Sequence, residues 1–212
     1  QVSRISEEST IQIQRSLEEK VIGQFKYHFT DIDALIISDY NKGFLSYNII
    51  RSIKELLYTK SVPVVVDTKP ERFQEYNPSE FNWFTPNIKE VEGLTGLKYT
   101  YPGDKSTLEA IGVSLFEKLN PKYVLFTLGD DGMVIYTSPI NFEHIPAIKV
   151  ENADVSGAGD TVNAALAACL STGHSSSDSA RIANYAASIV VGKRGTAACS
   201  IGELVGAIKN EK

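Results

Sequence analysis

The chain has 212 residues, which is enough to bury a sizeable core in one large domain or two small ones. Hydrophobic residues make up 42% and charged residues 22% of the chain, a balance that is typical of globular proteins and argues against disorder. The formal net charge of −5 argues against sequence-independent binding of nucleic acids, because such binding needs a basic surface.

Helix-like and strand-like segments alternate along the first half of the chain. Apolar residues recur every four positions between residues 9 and 25, which predicts an amphipathic helix. Apolar runs at 34–37 and 62–66 predict two buried strands. Ser46 is placed to cap a helix between these strands that runs to about Tyr58.

The alternation continues with a third predicted strand at 82–85, which a helix follows. A further helix is predicted at 106–119, and it leads to a strand at 123–127. That strand breaks at the turn 129–132 and then resumes, which is typical of a hairpin.

Three more helices are predicted after residue 150. Apolar residues have helical spacing over 162–170 and over 182–190, and Ser200 and Glu203 have the spacing of a capping box ahead of a third helix. Strands that alternate with helices predict an α/β fold, with a mostly parallel sheet flanked by helices on both faces and a C-terminal helical segment. Because there is no internal repeat and no linker, residues 1–212 are predicted to form a single domain.

Polar clusters follow four of the predicted strands, at 38–39, 67–69, 87–90 and 127–132. Each cluster taken alone can be an ordinary turn or helix cap. In open α/β sheets, however, ligands bind beyond the carboxyl ends of the strands. The recurrence of polar residues along one predicted edge therefore favours a functional site there.

The strongest candidate for chemistry is a glycine-rich turn directly before an amphipathic helix. Gly157 and Gly159 permit backbone conformations closed to other residues, so the amides of Gly157, Ala158 and Gly159 can form an anion hole for a phosphate or an oxyanion. Asp160 follows, where a carboxylate can accept a proton from a substrate hydroxyl. The alternative is a tight turn in which Asp160 is only an N-cap or first-turn acid.

Other nucleotide and metal signatures are weak or absent in the sequence. Gly157 and Gly159 supply two glycines of a dinucleotide-binding fingerprint, but Val162 stands at the third position and the motif comes late in the chain. There is no P-loop motif. The three histidines are far apart and are expected to be surface or structural residues: His28, His144 and His174.

Asn87 and Glu90 open a predicted helix and lie three positions apart, so their side chains share one face. They can hold hydrated Mg²⁺ or a nucleotide phosphate, because Mg²⁺ takes few protein ligands and keeps several waters. The alternative is a plain capping interaction, which is the better interpretation of the pair taken alone.

Two further features fit either a nucleotide site or a structural role. The turn from Thr127 through Gly129 to Gly132 can bring backbone close to a nucleotide, or it is only a hairpin turn. Asn184 lies among small residues of a predicted helix, where it is either a core amide or faces a bound nucleotide.

The cysteines and the apolar runs bear on the compartment. Cys169 and Cys199 have neither metal spacing nor the density of a disulfide scaffold, and their surroundings predict buried free thiols in a reducing cytosol. No apolar run approaches the roughly 18 residues of a membrane span, and no secretory signal is visible. We therefore expect a cytoplasmic protein with neither a membrane nor a nucleic acid as its partner.

Taken together, these motifs resemble the ribokinase (PfkB) family of carbohydrate kinases. The sequence Gly-Ala-Gly-Asp at 157–160 resembles the family signature, Asn87-x-x-Glu90 its second motif, and 127–132 its nucleotide loop, in the same order. Joint occurrence of the three motifs is far more specific than any one of them.

Within that family, the chain is most similar to the heptose 7-phosphate kinases. The similarity rests on four stretches: Ser-Asp-Tyr-x-Lys-Gly at 38–43, Val-Asp-x-Lys at 66–69, Thr-Pro-Asn-x-x-Glu at 85–90, and Val-Val-Gly-Lys-x-Gly-Thr at 190–196. Thr68 stands where this subgroup usually has proline, and Ser156 stands where a threonine is usual.

The resemblance implies a ribokinase-like fold and transfer of the γ-phosphoryl group of ATP to the anomeric hydroxyl of a heptose 7-phosphate. Asp160 is then the general base, and the turn 157–159 is the anion hole. The resemblance and the motifs together place ATP at Asn87, Lys89, Glu90, Thr127, Gly129, Gly132 and Asn184, the sugar at Lys69 and Asp160, Mg²⁺ at Asn87 and Glu90 through water, and a monovalent cation such as K⁺ at Asp154 and Ser156.

Family members have further residues ahead of the point where this chain starts, so the chain is expected to be the C-terminal two-thirds of a kinase domain. The remainder would supply a strand and the sugar lid. We therefore expect the strands at 34–37 and 62–66 to lack a neighbour, and the chain to be a homo-oligomer or to need its N-terminal part. Two alternatives stay open: another sugar or nucleoside kinase of the family, and a non-catalytic nucleotide-binding module.

Overall fold

Residues 10–76, 80–100 and 105–210 are described in the computed structural model of the chain. Within these ranges there are six strands: β1 (Leu35–Asp39), β2 (Val64–Thr68), β3 (Trp83–Phe84), β4 (Tyr123–Thr127), β5 (Met133–Tyr136) and β6 (Phe142–Ile145). The same ranges contain seven α-helices: α1 (Arg15–His28), α2 (Tyr47–Leu57), α3 (Ile88–Thr95), α4 (Lys105–Leu119), α5 (Ala158–Ser171), α6 (Ser176–Val191) and α7 (Ile201–Asn210).

The strands form one sheet in which they lie in the order of the chain. β1 to β4 are parallel, and β5 and β6 extend the sheet in the antiparallel sense. The predicted mostly parallel sheet and the hairpin after β4 are therefore confirmed. The sequence did not predict β6, because Glu143 and His144 interrupt its apolar pattern. Such an interruption is typical of a partly exposed strand at the end of a sheet.

Apolar side chains of the strands point alternately to two buried faces of the sheet. On one face, Val64 and Phe84 belong to a core that includes the apolar sides of α2 and α4. On the other face, Val65 and Leu125 pack with α5 and α6. Because both faces are covered, the strands have unbroken apolar sequences, and the prediction of helices on both faces is confirmed.

Two predicted capping residues lie where the sequence placed them. The Ser46 hydroxyl accepts a hydrogen bond from the Ile49 amide at 3.3 Å and begins α2. Ser200 accepts from the Glu203 amide at 3.3 Å at the start of α7.

The first predicted helix begins later than its apolar pattern suggested. α1 starts at Arg15 and not at residue 9, and the side chain of Leu17 is 49% exposed. α1 lies beside α2 and contains no fully buried residue, so its apolar face is only partly covered.

The expectation that two strands lack a neighbour is wrong for one of them. β2 is hydrogen-bonded on both sides, to β1 and to β3. β1 is the edge strand of the described sheet, and its Ile36 side chain is 42% exposed. An unpaired strand edge can accept a further strand from another segment or another molecule.

The two cysteines are free thiols, as predicted, but neither is fully buried. Cys169 lies on the flank of α5 and Cys199 in the loop before α7, where packing covers each side chain only in part. Partial burial still raises the pKa of both thiols. None of the helices in the described ranges is both long and apolar enough to span a lipid bilayer.

Candidate functional site

The parallel strands bring the predicted site residues to one edge of the sheet. Asp67 lies at the end of β2, Thr127 ends β4, and Asn87 follows β3 and forms a parallel bridge with Thr127. α5 begins against the same edge, because Asn163 donates a hydrogen bond from Nδ2 to Asp67 Oδ2 at 3.1 Å. The polar clusters that follow the strands therefore do share one edge, as the rule for such sheets requires.

The glycine turn before α5 has the geometry of an anion-binding helix start. Gly157 is the N-cap at φ 80°, and a Cβ atom there would lie 3.3 Å from the Thr196 methyl carbon, so glycine suits the position. The Ala158 amide closes the turn onto the Val155 carbonyl at 3.2 Å. In the described part of the chain, no acceptor pairs with the amides of Gly157 and Gly159, which leaves these two groups at the positive end of the helix dipole.

Asp160 is exposed in the first turn of α5. It does not cap the helix, because Gly157 occupies that position. Within the described residues no hydrogen bond ties the carboxylate to the rest of the protein. A carboxylate of this kind can act on a ligand without first breaking a structural bond.

Asp67 has the most perturbed acidic side chain of this edge. Burial first, and then the negative charges of Glu90 and Asp160, raise the pKa of Asp67 to about 6, against the opposing effects of Lys69 and the bond from Asn163. Three carboxylates thus share the edge with one lysine. A divalent cation would relieve this repulsion, so the residues suit Mg²⁺.

No group of three or more metal-ligating side chains converges in the described ranges. A cation at this edge would therefore keep several water ligands, which is what Mg²⁺ prefers. The histidines take no part in the edge. His144 lies 2.7 Å from the Asp131 carbonyl oxygen, and His28 and His174 are exposed.

The start of α3 is a complete capping box. The Asn87 side-chain oxygen accepts from the Glu90 amide at 3.1 Å, and Glu90 Oε2 accepts from the Asn87 amide at 3.0 Å. Glu90 Oε1 lies 2.9 Å from Lys69 Nζ, and this bond raises the pKa of Lys69. The capping interpretation of the pair is therefore confirmed as local geometry. Lys89 is exposed beside it.

The two glycines of the turn after β4, Gly129 and Gly132, differ in the space around their Cα atoms. Gly132 has φ 92°, and a Cβ atom there would lie 2.1 Å from the Ile145 carbonyl oxygen, so packing against β6 demands glycine. Gly129 has φ 64° with open space around it. The Thr127 amide donates to the Pro86 carbonyl at 3.2 Å and fixes the turn beside α3. Gly129 is thus the position where a ligand can approach the backbone.

Asn184 has the burial and the hydrogen bond of a core amide. Asn184 is 7% exposed and donates from Nδ2 to the Pro146 carbonyl at 2.8 Å. The bond ties α6 to the chain directly after β6. A contact between this side chain and a nucleotide is not needed to explain its burial.

Asp154 joins the glycine turn to the loop before α7. Its carboxylate accepts from the Ser156 amide at 3.1 Å and from the Gly195 amide at 2.9 Å. A hydrogen bond from the Ser156 side chain first, and then these two amide bonds, lower the pKa of Asp154. Each oxygen keeps a further lone pair, so the carboxylate remains able to bind a monovalent cation.

Two features of the site went beyond the sequence reasoning. No predicted motif includes Asn163, although a polar residue on the apolar face of a helix, three positions after Asp160, is a usable signal. A cavity of about 290 Å³ was not foreseen; it is lined by a segment we name the β1 loop, residues 38–45. A narrower space lined by Ser38, Asp67 and Lys69 lies between this loop and the edge.

The family model for pfkB family carbohydrate kinases matches residues 12–202. The chain belongs to the pfkB family of carbohydrate kinases. Over 211 residues it is 32% identical to the bifunctional protein HldE of Trichlorobacter lovleyi, an alignment that covers all of this chain and 42% of that protein. The predicted family is therefore confirmed.

Two solved structures show the fold of this pfkB chain. Phosphofructokinase-2 from Escherichia coli in complex with substrates and products matches with a TM-score of 0.75 at 18% identity, over 94% of this chain and 63% of its own. Ribokinase from Arabidopsis thaliana complexed with ribose and ATP matches with a TM-score of 0.68 at 21% identity, over 93% and 60%. The ribokinase-like fold is confirmed, and the chain spans under two-thirds of each relative's length.

Proposed function

We propose that this pfkB protein transfers the γ-phosphoryl group of ATP to the anomeric hydroxyl of a heptose 7-phosphate. The observation that carries the proposal is the start of α5, where two amides without partners in the described chain and the exposed Asp160 carboxylate lie together at the carboxyl edge of the sheet. The motifs shared with heptose 7-phosphate kinases, and the identity to HldE, support this acceptor.

Asp160 acts as the general base in the proposed reaction. As the sugar oxygen attacks the γ-phosphorus, its proton passes to the Asp160 carboxylate, and the bond from the phosphorus to the β–γ bridging oxygen breaks as ADP leaves. The amides of Gly157 and Gly159 donate to the oxygens of the transferring group. Phosphoryl transfer depends mainly on such positioning and charge stabilisation.

The nucleotide is proposed to lie between α3, α5 and the turn after β4. Gly129 offers open backbone for close approach, and Thr127 is joined to the start of α3 by its bridge to Asn87. The exposed Lys89 lies beside this space and can meet phosphate charge. Gly132 and Asn184 shape the wall through packing and the bond to Pro146.

Mg²⁺ is proposed as the cofactor, held through water by Asn87 and Glu90 with Asp67 nearby. When bound, the ion neutralises charge on the phosphates. Lys69 pairs with Glu90 and lines the narrow space next to the β1 loop, so it can contact a phosphate on the acceptor side. Asp154 beside Ser156 is the proposed place for a monovalent cation such as K⁺.

The outer edge of β1, which no strand of the described ranges pairs with, bears on the assembly. We propose that the active protein covers this edge, either with further chain or with a second copy. The cytoplasm is proposed as the location, because the reaction needs ATP and the thiols are free.

A panel of sugars with ATP, followed by coupled ADP release from the full-length protein, tests the proposal. We expect kcat/KM for a heptose 7-phosphate to exceed that for ribose and fructose 6-phosphate by about tenfold or more. A higher value for another sugar would make the acceptor wrong while leaving a pfkB kinase. ATP binding without turnover of any sugar would instead support a non-catalytic nucleotide-binding module.

A further inference from the structure

Arg72 is a buried arginine that has no part in the chemistry described above. It lies on the 3₁₀ helix Pro70–Tyr76 and is 8% exposed. Its Nε lies 2.7 Å from Asp39 Oδ2, Nη2 donates to the Leu45 carbonyl at 2.6 Å, and Nη1 donates to the Asn41 side-chain oxygen at 3.3 Å. One side chain thus holds the β1 loop near its beginning, in its middle and at its end.

Tyr76 is a second partner of the Asp39 carboxylate. Its hydroxyl donates to Asp39 Oδ2 at 2.5 Å, and its side chain is fully buried. Burial, and then the bond to Asp39, raise the pKa of Tyr76, so the hydroxyl stays a donor. Asp39 Oδ1 accepts from the Asn41 amide at 2.8 Å. The carboxylate therefore has partners both from the 3₁₀ helix and from its own loop.

The conformation of the β1 loop calls for outside support. Asn41 has φ 56° and Gly43 has φ 81°, both in the left-handed region that costs energy for most residues. A Cβ atom at Gly43 would lie 2.2 Å from the Ile11 carbonyl oxygen, so the loop is also pressed against the preceding segment. A buried ion pair adds little net stability over apolar packing, so we expect the pair of Arg72 and Asp39 to act mainly by fixing one loop shape.

That loop shape is what forms the cavity. Among the described residues, those that line the roughly 290 Å³ cavity belong to the β1 loop, and they include Tyr40, Lys42 and Phe44. The narrower space that follows reaches Asp67 and Lys69 at the edge of the sheet. A shift of the loop by about 1 Å would move this wall relative to the reacting groups, which is enough to weaken productive binding.

We propose that Arg72, assisted by Tyr76, is a positioning residue for the acceptor: it holds the β1 loop in the shape that receives the sugar phosphate. The inference rests on the proposed kinase function and adds residues to it that touch neither substrate. Arg72 acts on the acceptor side, since its contacts are to the β1 loop and, from Nη2 to Oε2 at 3.2 Å, to Glu75 on its own 3₁₀ helix, and not to the turns proposed to hold ATP.

Amide hydrogen exchange tests, independently of activity, whether Arg72 and Tyr76 stabilise the β1 loop. In the full-length protein, Arg72→Met should raise amide exchange over residues 39–45 by about tenfold or more, because the three contacts of Arg72 to the loop are lost together. Tyr76→Phe should raise it less. Tyr136→Phe is the matched control, since Tyr136 is equally buried and its hydroxyl donates to the Leu108 carbonyl at 2.7 Å, on another element. If Arg72→Met and Tyr76→Phe both leave the amide exchange rates over residues 39–45 unchanged, the inference is overturned.

Steady-state kinetics test the consequence for the acceptor. Tyr76→Phe should raise the acceptor KM several-fold and Arg72→Met about tenfold or more, with the KM for ATP within about twofold. Tyr136→Phe should lower the melting temperature and leave both KM values unchanged. Equal changes in the two KM values, or an equal effect of Tyr76→Phe and Tyr136→Phe, would overturn the inference. If the unmodified protein phosphorylates no sugar phosphate, the proposed function itself fails, which is a different result.

Discussion

The starts of α3 and α7 are built from the same local device in different surroundings. Each helix begins with a capping box whose glutamate also pairs with a lysine: Glu90 with Lys69 at 2.9 Å, and Glu203 with Lys193 at 2.7 Å. Judged by hydrogen bonds alone, the two regions are equivalent.

The two capping boxes differ in the exposure of the glutamate and in the charged residues around it. The Glu90 side chain is 11% exposed, and its charge acts on Asp67 at the carboxyl edge of the sheet. The Glu203 side chain is 43% exposed, and the Lys193 ammonium is the main cause that lowers the pKa of Glu203 to about 2. Lys193 also donates to the Ala198 carbonyl at 2.8 Å, so the second region closes a surface loop. A capping box therefore carries no function by itself; the other charges around it decide.

The largest expected effect comes from Asp160, the exposed carboxylate in the first turn of α5 at the carboxyl edge of the sheet. Asp160→Asn should lower kcat by about 10² or more and leave ATP affinity nearly intact, because the amide keeps the size but cannot accept the proton. Coupled ADP release and calorimetric ATP binding measure the two quantities. Asp178→Asn is the control, since Asp178 is an exposed first-turn acid of α6. Turnover of Asp160→Asn within a few-fold of the unmodified protein would contradict the assignment of the base.

The next effect separates backbone strain from ligand contact within the glycine turn. Gly157→Ala should cost about 1–2 kcal/mol of stability, because it places a side chain at φ 80°. Gly159→Ala should leave the melting temperature unchanged, since its Cβ atom meets nothing within 4 Å, yet lower kcat about tenfold as the methyl group crowds the phosphoryl. Full activity of Gly159→Ala would mean that no phosphate approaches this turn.

The third test exchanges the glutamate in each of the two capping boxes. Glu90→Gln and Glu203→Gln should lower the melting temperature to a similar small extent, because each loses an ion pair to a lysine. Only Glu90→Gln should lower kcat and raise the Mg²⁺ concentration for half-maximal activity several-fold. Thermal melts beside activity titrated with Mg²⁺ measure both. The same Mg²⁺ dependence in the two variants would leave Glu90 a structural cap and nothing more.

The smallest expected effect concerns stability against pH. Asp67 has a pKa of about 6 in the fold against an ordinary 3.8, so the unfolded chain releases its proton first and the folded state loses stability as the pH rises between these values. Asp67→Asn should therefore melt a few degrees higher than the unmodified protein at pH 7.5, with the gain vanishing near pH 4. The exposed Asp33 supplies the control Asp33→Asn. If the melting temperatures of Asp67→Asn and of the unmodified protein change in the same way between pH 4 and pH 7.5, the pKa of Asp67 is not raised by its surroundings.

Short-range patterns in the sequence predicted most of the elements. Ser46 begins α2, and the strands at 62–66 and 123–127 lie within a few residues of β2 and β4. Capping and side-chain periodicity act over about four residues, so a single sequence contains the information they need. The glycine turn was predicted from the same range, because left-handed backbone at Gly157 and a following helix are local properties.

What required the tertiary structure was every relation between distant residues. Asn163 donates a hydrogen bond to Asp67, 96 positions earlier in the chain, and Arg72 donates to Leu45, 27 positions earlier. Asn184 donates to the Pro146 carbonyl, 38 positions earlier. Burial and Coulomb interactions depend on neighbours that folding brings together, so the raised pKa of Asp67 could not be read from its own segment. The sequence by itself determined where helices and turns begin and which residue types stand there; the fold decided which of these residues face one another.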